Sequence, residues 1–164
     1  MKSVVLSLLV VFSLFLQAIG RDKEDPITNT KALEIIEIFR QDPLSAKGKA
    51  AASLIPTFAG ESSEVVVQVE ERNMPWLKMG LDMDIGSRLM AAYIAGSVKS
   101  QLTKKARKDD LVAGAEQVIE SYQKMRKVNP ALTVPSVDEW VKLKAEDKLA
   151  EYFNVKEPVK SAIK

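Results

Sequence analysis

The chain contains no cysteine and no histidine among its 164 residues. Without cysteine it has no disulfide, no thiol nucleophile, no cysteine metal site and no lipid-bearing cysteine. Without histidine the Ser-His-Asp triad, the HExxH zinc site and most transition-metal chemistry are excluded. Histidine is also the side chain that most readily moves protons near neutral pH. We therefore expect no catalytic site of these classes and no cofactor, and a domain that depends on its apolar core.

The chain also lacks a strong excess of charge of either sign. Its formal net charge is +2, so long-range attraction to nucleic acid or anionic lipid is not expected. No Asn-x-Ser/Thr sequon occurs, which excludes N-glycosylation. Beyond the N-terminus no apolar run is long enough to span a membrane. We expect a protein partner, no nucleic acid and no membrane span after cleavage, with the oligomeric state left open.

The first twenty residues have the layout of a secretory signal peptide. Lys2 supplies a positive charge, residues 4–16 are almost wholly apolar, and Ala18 and Gly20 are small residues at the −3 and −1 positions of a cleavage site. The apolar stretch is short for a membrane span. We predict cleavage near Gly20 and a periplasmic or secreted protein; an uncleaved N-terminal anchor is the alternative. The absence of cysteine favours a bacterial periplasm or the medium over a eukaryotic extracellular module.

Apolar residues at helical spacing predict a mainly α fold, a single bundle-like domain of four to five helices. We expect a disordered lead-in over residues 21–30, the helical domain over 31–154 and a flexible tail over 155–164. Helices are predicted over about 30–41, 43–59, 82–105, 110–128 and 136–154. The clearest amphipathic stripe comprises Leu111, Ala115, Val118, Tyr122 and Met125.

Several residues have the character of helix start and stop signals. Asp42 is predicted as the N-cap of the second helix, Pro56 as a kink or break near Leu54, and Gly60 as a C-cap. Asp82 or Asp84 should cap the third helix and Asp109 or Asp110 the fourth. Ser136 and Glu139 have the spacing of a capping box.

Residues 64–70 are ambiguous in secondary structure. Val65, Val67 and Val69 alternate with Val66, Gln68 and Glu70, and this alternation of β-branched residues favours a short strand or an extended segment. A helix is the alternative. We expect the segment to pair with residues 131–135 or with the edge of a neighbouring molecule.

Two groups of carboxylates are candidates for a functional site, one for binding a metal ion and one for hydrolysis. Asp82 and Asp84 form an Asp-x-Asp pair that suits calcium or magnesium, but position 93 holds Tyr93 where a helix-loop-helix calcium site needs glutamate. Helix capping explains both aspartates more simply, so no metal site is predicted. A carboxylate-based hydrolase would use the glutamates around the valine run. These are Glu61, Glu64, Glu70 and Glu71.

The partner-binding candidates are basic and aromatic. A basic cluster ends the third helix and comprises Lys104, Lys105, Arg107 and Lys108. Lysines and arginines at a helix C-terminus suit its dipole, and they also suit an acidic partner or anionic surface. Trp76 follows a proline in a predicted turn, where it is either a core anchor or an exposed contact for a partner.

The segment Leu-Met-Ala-Ala-Tyr-Ile-Ala-Gly at residues 89–96 resembles the aromatic-Ile-x-Gly helix of small exported immunity proteins of the Tai type. Those proteins are also helical, with a signal peptide and a later helix after a proline-containing turn. The cysteines that commonly accompany the pattern are missing here. The resemblance implies an immunity-type inhibitor of a secreted toxin.

Taken together, these patterns favour an exported, non-catalytic helical domain that binds a protein partner. Three alternatives remain open. They are a carrier of a small molecule or metal ion in a cavity between helices, the immunity-type inhibitor, and the carboxylate-based hydrolase.

Overall fold

The computed structural model describes residues 26–155. The predicted signal peptide, residues 21–25 of the lead-in and the tail from residue 156 lie outside the described residues. The elements are α1 (Asn29–Gln41), α2 (Ala46–Glu61), a 3-10 helix (Pro75–Lys78), α3 (Met83–Lys104), α4 (Leu111–Val128), α5 (Pro135–Ala145) and α6 (Leu149–Val155). No strand occurs between residues 26 and 155, and the predicted mainly α fold is confirmed.

The centre of the fold is the antiparallel pair of α3 and α4. A Cβ atom on Gly96 of α3 would lie only 2.2 Å from the carbonyl oxygen of Ala113. A Cβ atom on Gly114 of α4 would lie 2.7 Å from the ring of Tyr93. The absence of side chains at these two positions lets the helices approach closely. Gly96 and Gly114 therefore mark the close contact between α3 and α4.

The last predicted helical region is divided into α5 and α6. Asp147 has a φ of 57°, in the left-handed region, where aspartate is tolerated better than most residues. The amide of Lys148 bonds back to the carbonyl of Leu143 at 2.8 Å, which closes the turn. This turn redirects the chain and accounts for one helix more than the four to five predicted.

The predicted caps are partly wrong. Asp42 does not cap α2: Ser45 does, accepting from the amide of Gly48, while the Asp42 carboxylate accepts from the amides of Leu44 and Ser45 in the connecting turn. The chain makes this turn before the helix begins, so the cap is displaced by three residues.

The predicted break of α2 near Leu54, its predicted C-cap at Gly60 and the predicted capping box are also wrong. The helix continues through Pro56 and passes Gly60 to end at Glu61, because Ile55 and Phe58 anchor both sides of the proline in the core. Val134 occupies the cap position of α5 without a side-chain hydrogen bond. Ser136 instead lies one residue inside that helix, too late to cap it.

The other two cap predictions are confirmed. Asp82 accepts from the amides of Asp84 and Ile85 at the start of α3. Asp110 accepts from the amide of Ala113 at the start of α4. At both sites the aspartate stands directly before a helix, where its carboxylate reaches unpaired amides of the first turn.

An aromatic cluster joins the 3-10 helix to the C-terminal helices. The rings of Trp76 and Trp140 meet edge to face with centroids 5.5 Å apart, and Trp140 meets Phe153 at 5.3 Å. Trp76 is 1 % exposed and Trp140 is fully buried. Trp76 therefore lies in the core, which corrects its candidacy as an exposed contact for a partner.

No helix in the described part of the chain is both long enough and apolar enough to cross a bilayer.

Candidate functional site

The loop between α3 and α4 is a tight turn that carries three cations. Lys105 follows the last residue of α3 and has a φ of 52°, a left-handed conformation that usually belongs to glycine at a helix end. The amide of Ala106 bonds to the carbonyl of Gln101 at 3.1 Å, and the amide of Lys108 bonds to the carbonyl of Ala106 at 2.9 Å. Residues 105–108, called the basic loop below, are thus held in a defined turn.

The four basic candidates divide into two groups. Lys104 forms an ion pair with Asp110, Nζ to Oδ2 2.8 Å. Lys105, Arg107 and Lys108 are exposed, and none has an acidic partner within 4.0 Å among the described residues. The ion pair gives Lys104 a structural role, while the basic loop exposes three positive charges that no described acidic residue neutralises.

Asp109 and Asp110, which follow the basic loop, form hydrogen bonds with other parts of the protein. Asp109 accepts hydrogen bonds from the Ser97 hydroxyl at 2.6 Å and from the Gln68 amide at 2.9 Å. Burial raises the pKa of the Asp109 carboxyl above its ordinary value, although these hydrogen bonds oppose the shift. Asp110 accepts from Ser100 at 2.6 Å, and despite burial the bonds from Lys104 and Ser100 lower its pKa.

The segment over residues 64–70 lies beside this loop without forming a strand. The Gln101 side chain accepts from the Val66 amide at 3.0 Å and donates to the Val66 carbonyl at 2.8 Å. Together with the bond from the Gln68 amide to Asp109, this ties alternate residues of the segment to α3 and to the aspartate that follows the basic loop. The predicted pairing with residues 131–135 is therefore wrong, because polar side chains replace the expected partner strand.

An open groove of about 580 Å³ lies between these elements. One wall is the 66–72 segment, another is the loop with the first turn of α4, and the end of α6 closes one side. The residues that carry its charge are Arg72, Lys104, Arg107, Lys108, Asp109 and Asp110.

Tyr93 is a buried polar residue beneath this region. Burial, and then the charge of Asp109, raises the pKa of its hydroxyl far above the ordinary value. The hydroxyl has no well-formed hydrogen bond, and the ring packs on Gly114. With so high a pKa the phenol stays protonated at neutral pH, which makes it a packing residue rather than a base.

The predicted carboxylate candidates have structural contacts. Asp84 forms an ion pair with buried Arg88, Nη2 to Oδ2 2.8 Å, and lies 3.7 Å from Lys49. Between residues 26 and 155 no group of three or more acidic residues is placed to hold a metal ion. Of the exposed glutamates around the valine run, Glu64 accepts from Asn29 at 2.7 Å and Glu71 pairs with Lys78.

An exposed apolar surface that the sequence patterns did not indicate lies next to Trp76. Leu77, Met79 and Met83, called the methionine patch, are 47 %, 39 % and 86 % exposed. Leu77 and Met83 line the same shallow depression of about 230 Å³. Four of the six methionines fall between residues 74 and 90, and this clustering is the signal that could have revealed the patch.

The segment that resembles Tai-type immunity proteins has a packing role in this structure. Seven of the residues over 89–96 are buried in α3, and Met90 is partly buried. No protein-family model, curated protein or solved structure matches the chain.

Proposed function

We propose that the chain is an exported, non-catalytic helical domain that binds a protein partner. The single observation that supports this most directly is the basic loop. Lys105, Arg107 and Lys108 project from a turn that backbone hydrogen bonds hold in place, and no described acidic residue neutralises them. Because the backbone of this turn is already ordered, its cations favour an acidic partner surface without the further cost of ordering the loop.

Site-specific photocrosslinking in the host that encodes the chain tests the proposal. A photoreactive amino acid replaces Arg107 in the basic loop, Met83 in the methionine patch, or Lys127 as the control. Lys127 is also an exposed cation without an ion pair among the described residues. We expect a discrete protein adduct from position 107, and none from position 127.

The possible outcomes distinguish whether the chain binds a protein from which of its surfaces makes the contact. An adduct at position 107 that disappears when Lys105 and Lys108 are changed to glutamate supports the basic loop as the contact. An adduct only at position 83 supports protein binding but assigns the contact to the methionine patch. The absence of an adduct at all three positions would contradict a protein-binding role. Fractionation of the same cells tests export, because protein found only in the cytoplasm would contradict it.

A further inference from the structure

In the groove beside the basic loop, the acidic and the basic side chains lie on different sides. Asp109 and Asp110 lie on the inner side, where hydroxyls, amides and Lys104 occupy their carboxylate oxygens. Arg107 and Lys108 line the outer side and have no acidic partner among the described residues. The accessible side of the groove is therefore positive, although acidic and basic residues both line it.

The walls supply groups that a polypeptide can use. Val66 is 38 % exposed, and Leu111 and Val112 are partly buried, so the groove offers apolar surface beside its charges. The side chains of Gln68 and Asn154 line it as well and bring amide groups that can bond to a backbone. Charges alone suit any anion, whereas this mixture suits a chain with both acidic and apolar side chains.

The surroundings give an extended polyanion no further attraction. Glu70 and Glu71 are exposed on the segment that forms one wall, where they form ion pairs with Arg72 and Lys78. A nucleic acid or a membrane surface that extends beyond the basic loop would meet these paired charges, which carry no net positive charge. A short acidic segment can contact the basic loop without reaching them.

From this arrangement we infer that the groove binds an acidic, extended segment of the protein partner, an inference that rests on the proposed function. The segment carries carboxylates toward Arg107 and Lys108 and at least one apolar side chain toward Val66. Gln101 and Asp109 are positioning residues, because they hold the 66–68 wall in place through its backbone.

Fluorescence anisotropy with a defined peptide tests the inference. The probe is a labelled eight-residue peptide of aspartate and glutamate with two leucines, added to the protein in the form that its host accumulates. Changing Arg107 and Lys108 together to alanine should weaken binding about tenfold. The matched control changes Lys127 and Lys142 to alanine, removes the same charge from exposed positions elsewhere, and should leave the dissociation constant within about twofold.

Each result decides for or against the inference, provided that circular dichroism shows both variants folded. Equal weakening by the two double variants would mean that only net charge matters and would overturn it. Equal binding of a peptide with asparagine and glutamine in place of the acids would overturn the charge requirement. Full competition by millimolar inorganic phosphate would assign a small-anion site, and binding to vesicles of phosphatidylglycerol without peptide binding would assign a membrane surface.

Failure here is distinguishable from failure of the proposed function. A protein adduct at position 107 without peptide binding would retain the protein partner and reject the acidic segment. Two results together support both the protein partner and the acidic segment. They are a protein adduct at position 107, and peptide binding that is lost when Arg107 and Lys108 are changed to alanine.

Discussion

The side-chain amide of Gln101 pairs with both backbone groups of Val66, at 3.0 Å to the amide nitrogen and 2.8 Å to the carbonyl oxygen. Gln101 is 3 % exposed while Val66 is 38 % exposed, so these bonds are partly shielded from bulk water. One glutamine thus takes the place of a neighbouring strand for the 64–70 segment. The pairing also fixes one wall of the groove against α3.

Changing Gln101 to leucine should lower the free energy of unfolding by about 2 kcal/mol, because it leaves the Val66 amide and carbonyl without partners. Urea denaturation measures the loss. Gln123→Leu is the control, since Gln123 is exposed on α4 and should change stability by less than about 0.5 kcal/mol. Equal stability of the two variants would show that the Gln101 pairing contributes nothing.

Gly96→Ala should lower the free energy of unfolding by about 2 kcal/mol, because the new Cβ atom meets the Ala113 carbonyl and forces α3 away from α4. Gly86→Ala is the matched change in the same helix. Nothing lies within 4 Å of its Cβ position, so it should stabilise the protein by about 0.5 kcal/mol. Thermal unfolding of both variants compares the two effects, and a stabilising Gly96→Ala would refute the close contact.

Asp84 should contribute stability that depends on pH. The hydrogen bond from Arg88, followed by its charge, lowers the pKa of Asp84 below the ordinary 3.8. The folded state therefore gains from the ionised carboxylate above pH 3.8 and loses that gain as the pH falls toward the lowered pKa. Asp84→Asn should cost about 1 kcal/mol at pH 7, because buried Arg88 loses its counter-ion while Asp84 itself is partly exposed.

Urea denaturation between pH 3 and pH 7 checks this prediction. The difference between the wild type and Asp84→Asn should shrink below pH 3.8. Asp82→Asn is the control, because asparagine caps a helix as well as aspartate does. A difference that stays constant across the range would exclude the Arg88 pairing as its source.

Both tryptophans should be protected from iodide in the folded protein, because Trp76 is 1 % exposed and Trp140 is fully buried. Stern–Volmer quenching before and after denaturation in urea measures their exposure. We expect weak quenching in buffer and a strong increase on unfolding. Strong quenching in buffer that disappears in Trp76→Phe would place Trp76 on the surface and restore it as a candidate contact.

Local sequence signals predicted best where a helix starts with its own capping residue. Asp82 and Asp110 each satisfy unpaired amides two or three positions ahead, and such a contact depends only on nearby residues. The proline in α2 shows the opposite case. Its tendency to end a helix is overcome by the burial of Ile55 and Phe58, which depends on residues distant in the chain.

The candidate site was predictable only in part, because it also depends on contacts between residues that are distant in the chain. The basic cluster that ends the third helix can be read directly from the sequence, because its residues are close together in the chain. Whether an acidic residue neutralises each cation depends on which residues the fold places near it. Lys104 meets Asp110 because the turn at Lys105 reverses the chain, and Arg107 meets no described acid. The clustering of methionines is visible in the sequence, but only the fold buries Trp76 and leaves Leu77, Met79 and Met83 exposed.

Composition and periodicity were enough to establish a helical, cysteine-free and histidine-free domain, because helix formation and the available chemistry depend on which residues are present and on their local spacing. Three-dimensional packing settled the rest: the Gln101 contact with residue 66, the close approach at Gly96, and the opposite directions of the basic loop and its aspartates. These features arise between residues far apart in the chain, where long-range contacts outweigh local preference.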